Sequence, residues 1–130
     1  MLFRSGTQRQ LTCRFDSTLP VVVENHSTAT HLYRIAQEAL NNAFRHSQAT
    51  EIVISLRQQG DQVVLEVKDN GVGINPGNSY VGGTHGTQGM GLRTMQYRCG
   101  MIAGTFHLER REEGGTSVKC VVPKRERGVQ

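Results

Sequence analysis

Glu38 and Asn42 stand four residues apart in Arg34-Ile35-Ala36-Gln37-Glu38-Ala39-Leu40-Asn41-Asn42-Ala43-Phe44-Arg45-His46. On a helix that spacing puts both side chains on one face. Asn42 offers a neutral oxygen suited to Mg2+, which takes few protein ligands and leaves the remainder to water and phosphates. Glu38 offers a carboxylate that can orient or deprotonate a nucleophile. With Arg34 and Arg45 on the same side, the column could hold a metal-triphosphate. The same spacing also fits a solvated face with a Glu-Asn hydrogen bond and an Arg34–Glu38 ion pair. Polar columns on amphipathic helices are ordinary.

A second candidate is Asp69-Asn70-Gly71-Val72-Gly73-Ile74. The preceding Val63-Val64-Leu65-Glu66-Val67-Lys68 alternates apolar and polar residues, which predicts a strand with one buried face. Asp69 shares the face of Val63, Leu65 and Val67 and therefore points inward, where an unpaired charge is costly. Gly71 and Gly73 leave bare backbone beside it, open to a flat ligand. A carboxylate so placed suits the exocyclic amine of an adenine ring. The competing reading is a plain Asp-Asn-Gly hairpin turn.

Gly86-Thr87-Gln88-Gly89-Met90-Gly91-Leu92 ends a glycine-rich loop and opens a helix, where free amides attract phosphate. No Gly-Lys-Ser/Thr follows, so it is not a Walker A loop, and Thr94 stands where a dinucleotide fingerprint needs its third glycine. A flexible loop with a glycine helix entry explains it equally well. Gly115-Thr116 begins the final strand, and Thr116 reaches the same base through a water if it shares the face of Asp69. None of the five histidines falls into a triad or HExxH pattern.

These residues need elements to hold them. The pattern predicts a strand over 8–15, then a helix over 29–46 capped by Ser27 or Thr28, with Leu32, Ile35, Ala36, Ala39, Leu40 and Ala43 as its apolar stripe. Strands over 51–58 and 62–69 join through Gln59-Gly60-Asp61. A loop over 75–88 leads to a helix over 89–102, then strands over 105–110 and 116–122. This order describes an α/β (α+β) two-layer sandwich, a mixed, mostly antiparallel sheet with helices on one face. Residues 9–123 form one domain; 1–8 are expected to be loose and 124–130 to be a basic tail.

Composition narrows the options. The 130 residues carry 36% apolar side chains and a net charge of +4, with a mean hydropathy of −0.43. Much of the basic excess sits at the two ends, and aromatic content is 5%, so nucleic-acid binding is not expected. There is neither a membrane-length apolar run nor an export signal, so a cytoplasmic domain without membrane contact is expected. Three cysteines without CxxC spacing argue against a disulfide framework or a zinc site.

Taken in order, these motifs resemble the ATP-binding domain of bacterial sensor histidine kinases, within the superfamily that includes gyrase, Hsp90 and MutL. Residues 34–46 resemble its N box, Asp69 to Gly73 its first glycine box, and Gly89-Met90-Gly91-Leu92 its second. Arg-Ile-Ala-Gln-Glu-Ala-Leu and the histidine after Arg45 resemble the nitrate-sensor-like kinases that signal to LuxR-type response regulators. The resemblance implies a Bergerat-type fold that binds ATP and Mg2+. Asp69 would hold the adenine amine, Gly71 and Gly73 would lie by the base, and Thr116 would lie near it. Asn42 would ligate Mg2+, Glu38 would be the catalytic carboxylate, and Arg45, Gly89, Gly91 and Leu92 would serve the phosphate end. Arg45 departs from the lysine of many relatives. No histidine here has the setting of a phosphoacceptor, so the implied partner is a histidine-bearing dimerisation domain of a full-length kinase, with or without a membrane anchor. The fragment would be monomeric and unable to autophosphorylate alone, with the loop over 75–88 as a lid ordered by the γ-phosphate. Other ATPases of the superfamily, an anti-sigma-type serine kinase and a non-enzymatic partner-binding module stay open as alternatives.

Overall fold

The structure is a computed structural model that describes residues 2–4, 10–17, 21–46, 48–72 and 86–124. The expectations for Gly73, for the loop over 75–85 and for the tail beyond 124 lie outside the described residues. The elements in chain order are β1 (Leu2–Arg4), β2 (Gln10–Asp16), α1 (His26–His46), β3 (Glu51–Gln59), β4 (Gln62–Asp69), α2 (Gly86–Met101), β5 (Thr105–Arg110) and β6 (Thr116–Pro123). They build one sheet in the order β1-β2-β3-β4-β6-β5. Among the described residues only β2 and β3 run parallel, joined through α1, and the other pairings are antiparallel.

Alternation along the strands sorts their side chains into two faces. Val63, Leu65 and Val67 of β4 and Val118, Cys120 and Val122 of β6 join Leu11 and Ile52 in the core. α1 covers them with Leu32, Ile35, Ala39 and Ala43, and α2 with Met95 and Cys99. Both helices thus bury their stripes against a single apolar cluster, as the two-layer reading requires.

Four details depart from the sequence expectations. Residues 2–4 pair with β2 as a short strand; their alternation was too brief to read. The cap of α1 is Asn25, whose Oδ1 accepts the Thr28 amide at 3.0 Å, so Ser27 and Thr28 lie inside the first turn. α2 begins at Gly86, three residues before Gly89, because two glycines in its first turn mask the helical signal. Cys99 and Cys120 face one another across the helix–sheet interface as a disulfide, at a Cα separation of 6.4 Å. Spacing along the chain could not reveal that pair.

The sheet face away from the helices carries a buried acid. Glu66 accepts the Ser117 hydroxyl at 2.8 Å and Arg57 Nη1 at 3.2 Å. Burial alone would raise its pKa, but the two hydrogen bonds and the fields of Lys119 and Lys68 outweigh it and leave the carboxyl below the ordinary 4.5. A pKa depressed by folding stabilises the native state above the unfolded value, and that contribution is lost as pH falls through the folded one. Glu66→Gln should therefore flatten the loss of stability below about pH 4.5 in urea titrations across pH. An acid limb as steep as the wild type's would show that Glu66 contributes none of it.

Candidate functional site

Asp69 ends β4 on the core-facing side, 7% exposed. Its Oδ1 accepts the Gly71 amide at 2.8 Å, and the Thr116 amide donates to the same carboxyl group. The β4–β6 register sets Lys68 opposite Ser117, which places Thr116 beside Asp69 as alternation implied. Burial is the largest influence on Asp69 and raises its pKa above 3.8; both amides and the Arg111 guanidinium oppose it without cancelling it. A carboxylate has about four acceptor positions, so two amides leave room for a further donor.

The backbone around Asp69 is held from both sides. Asn70 Oδ1 accepts the amides of Thr50 at 3.0 Å and Glu51 at 2.9 Å, while its Nδ2 donates to Thr50 Oγ1 at 3.1 Å. The asparagine thereby pins the end of β4 to the start of β3. On the other side Gly115, at φ +97°, packs so closely that a Cβ would sit 1.9 Å from the Asp69 carbonyl oxygen. Arg111 Nη1 donates to that same carbonyl at 2.7 Å. The sequence singled out Gly115 only as the opening of a strand and missed the roles of Asn70 and Arg111. For Asn70 the signal was present, since asparagine readily bonds local backbone. For Arg111 there was none.

The second half of the site lies between the helices. Glu38 and Asn42 are half-buried on α1, while Arg34 and Arg45 are exposed. Among the described residues Arg34 and Glu38 do not form the ion pair that an ordinary surface would allow. Gly91 of α2 faces the Glu38–Asn42 column. A Cβ on Gly91 would sit 2.7 Å from Glu38 Oε2 and 3.2 Å from Asn42 Oδ1. Gly91 therefore lies inside α2 and lets that helix approach the acid and the amide. Leu92 packs partly on the apolar cluster.

A cavity of about 620 Å3 adjoins this column, bordered by Arg34, Glu38, Thr94 and Arg98 with Leu40 and Phe44. Its described lining includes neither Asn42 nor Asp69. Arg98 Nη1 lies 3.3 Å from His31 Nδ1. Among the described residues no cluster of three or more His, Cys, Asp or Glu is placed to hold a metal ion. A Mg2+ bound here would rest on the Asn42 amide oxygen and on phosphate oxygens, a donor set that suits the ion.

Comparison with known proteins decides the family. Residues 27–126 match the family described as histidine kinase-, DNA gyrase B-, and HSP90-like ATPase. The chain belongs to that family. It is 42% identical over 99 residues to the nitrate/nitrite sensor protein NarX of Escherichia coli K12, which covers 76% of this chain and 15% of NarX. It is 36% identical over 93 residues to the sensor protein VraS of Staphylococcus epidermidis, 72% of this chain and 25% of VraS. The chain thus spans a quarter or less of these relatives. Its fold is similar to the ATP binding domain of PrrB from Mycobacterium tuberculosis, with a TM-score of 0.74 at 21% identity over 89% of this chain and 82% of that one. The catalytic domain of histidine kinase ThkA gives 0.73 at 19% identity, over 88% of this chain and 78% of that one.

Gly91→Ala tests the helix apposition. The added methyl meets the flexible end of Glu38 rather than backbone, so the fold should survive with an unfolding midpoint near the wild type's. Displacing Glu38 and Asn42 by about 1 Å should lower ATP affinity several-fold. Wild-type affinity in a folded variant would show that the column takes no part in nucleotide binding.

Proposed function

We propose that this domain binds Mg-ATP and hands its γ-phosphoryl group to a histidine on the dimerisation domain of a two-component sensor kinase. The observation that carries the reading is Asp69, a buried carboxylate with its backbone pinned on both sides and acceptor capacity left over. The adenine amine donates to it, and Gly71 and Gly73 lie along the base with Thr116 at its edge. Asn42 holds Mg2+, which when bound neutralises phosphate charge. Arg45 and the α2 segment with Gly89, Gly91 and Leu92 serve the phosphate end.

Phosphoryl transfer asks the protein mainly for positioning and charge stabilisation. The bond from the γ-phosphorus to the ADP oxygen breaks as one forms to the acceptor imidazole nitrogen. Glu38, half-buried and free of the Arg34 ion pair, orients that imidazole and takes its proton. The cavity bordered by Glu38 leaves room for an incoming side chain. The phosphoryl group then passes to a response regulator, of LuxR type on the likeness of residues 34–46. No described helix is long and apolar enough to cross a membrane, and the dependence on ATP places the domain in the cytoplasm.

Two measurements test the assignment. Asp69→Asn turns an acceptor into a donor facing the adenine amine, and an unmet buried donor costs about 1–3 kcal/mol. ADP affinity by calorimetry should fall by tenfold or more with the fold retained, and unchanged affinity would remove the adenine assignment. In the wild type, affinity should also fall on acidification at a pH above 3.8, because burial raises the carboxyl pKa and its ionised form is the one that accepts three N–H donors. Asn42→Ala should weaken Mg-ATP binding, and the defect should shrink when EDTA removes the metal. An equal defect with and without metal would show that Asn42 is not a ligand.

A further inference from the structure

The β5–β6 hairpin reaches back to the end of β4. The Arg111 amide donates to the Gly115 carbonyl at 2.9 Å, and the Gly114 amide donates to the Arg111 carbonyl at 3.2 Å. This closed turn presents the Arg111 guanidinium to the Asp69 carbonyl at 2.7 Å. Gly115 leaves no space for a side chain between the hairpin and that carbonyl. Arg111 itself is largely covered, at 23% side-chain exposure, whereas its other partner Glu113 stands in solvent at 75%, 3.8 Å from Nε.

We infer that Arg111 is a positioning residue for adenine recognition, holding the end of β4 through the Asp69 carbonyl so that the carboxyl meets the base in its ionised form. The inference rests on the assignment of Asp69 to adenine. The geometry separates two effects of one side chain. The hydrogen bond to the carbonyl sets where Cα and the carboxyl of Asp69 sit. The charge favours the carboxylate over the acid, against the burial that opposes it. Arg111 is the cation acting on Asp69, while the acids on the adjoining segments are Glu51 at the head of β3 and Glu112 and Glu113 on the hairpin. Without Arg111 the carboxyl stays protonated to a higher pH. A protonated carboxyl cannot accept the Gly71 and Thr116 amides and the adenine amine together.

The test is ADP affinity by calorimetry from pH 5 to pH 8 in the wild type, Arg111→Gln, Arg111→Lys and Asp69→Asn. Arg111→Gln should bind ADP several-fold more weakly at neutral pH and lose affinity at a higher pH than the wild type. A hairpin contact of purely structural worth would lower affinity without moving that midpoint. Arg111→Lys keeps the charge but not the planar fork; its midpoint should stay near the wild type's while affinity falls. Should the glutamine variant fail to fold, Arg111→Met takes its place in the same comparison of midpoints, and wild-type affinity in the lysine variant overturns the inference in either case. A folded glutamine variant with the wild-type midpoint overturns it as well. Asp69→Asn distinguishes the two failures. If it binds ADP like the wild type, the adenine assignment falls; if it loses binding while Arg111→Gln keeps the wild-type profile, only the role of Arg111 falls.

Discussion

A carboxylate taken out of water sets the terms for the site. Asp69 loses solvation at the end of β4, and isolated burial of that charge would drive it to the neutral form. The fold answers with amides from two separate segments, Gly71 just after the strand and Thr116 at the start of β6. The Gly71 amide is local, but the Thr116 amide is available only where β4 and β6 pair in their observed register. The sheet topology, with β6 inserted between β4 and β5, is therefore a condition for the charge. Even so the pKa stays raised, which leaves the carboxyl in want of one more donor. Any N–H donor brought there and ionisation of the carboxyl would favour each other.

The Glu38–Asn42 column depends on a different constraint, the closeness of two helices. α1 and α2 pack on the same core, and their approach at the polar column is possible because position 91 has no side chain. The apolar stripe of α1 fixes its rotation on the sheet, and that rotation leaves Glu38 and Asn42 half-buried beside α2. A stripe displaced by one residue would turn them through about 100° away from it. The positions of acid and amide are thus set by Ile35, Ala39 and Ala43 as much as by their own chemistry.

Most of this architecture was legible in the residue pattern. Alternation in β4 placed Asp69 on the buried face, and spacing of three and four placed Glu38 and Asn42 together. The β3–β4 hairpin turns at Gly60 and Asp61, with Gly60 at φ +59°, as its residues implied. What escaped were contacts between segments far apart in the chain. The Arg111–Asp69 bond joins residues 42 apart, and the Cys99–Cys120 pair joins residues 21 apart. Local periodicity carries no information about either, because each depends on how two finished elements dock. The start of α2 escaped for the opposite reason. Glycine is a poor helix former, so a first turn containing Gly86 and Gly89 reads as loop although the backbone is helical.

Two choices in the site run against stability. A half-buried carboxylate at Glu38 without an ion pair to Arg34 forgoes a contact that i, i+4 spacing offers at about 0.2–0.5 kcal/mol. A buried Asp69 left with a raised pKa destabilises the ionised fold relative to an apolar residue of similar size. By contrast the buried acid on the far face of the sheet, Glu66, has its Ser117 and Arg57 partners and a lowered pKa. The same chain thus completes the partners of a carboxylate where no ligand is expected and leaves them incomplete where one is. Local rules are broken in a sequence chiefly where function needs it. Glu66 and Asp69 thus differ in kind: one carboxylate is satisfied by the fold alone, and the other keeps acceptor capacity after the fold has supplied its two amides.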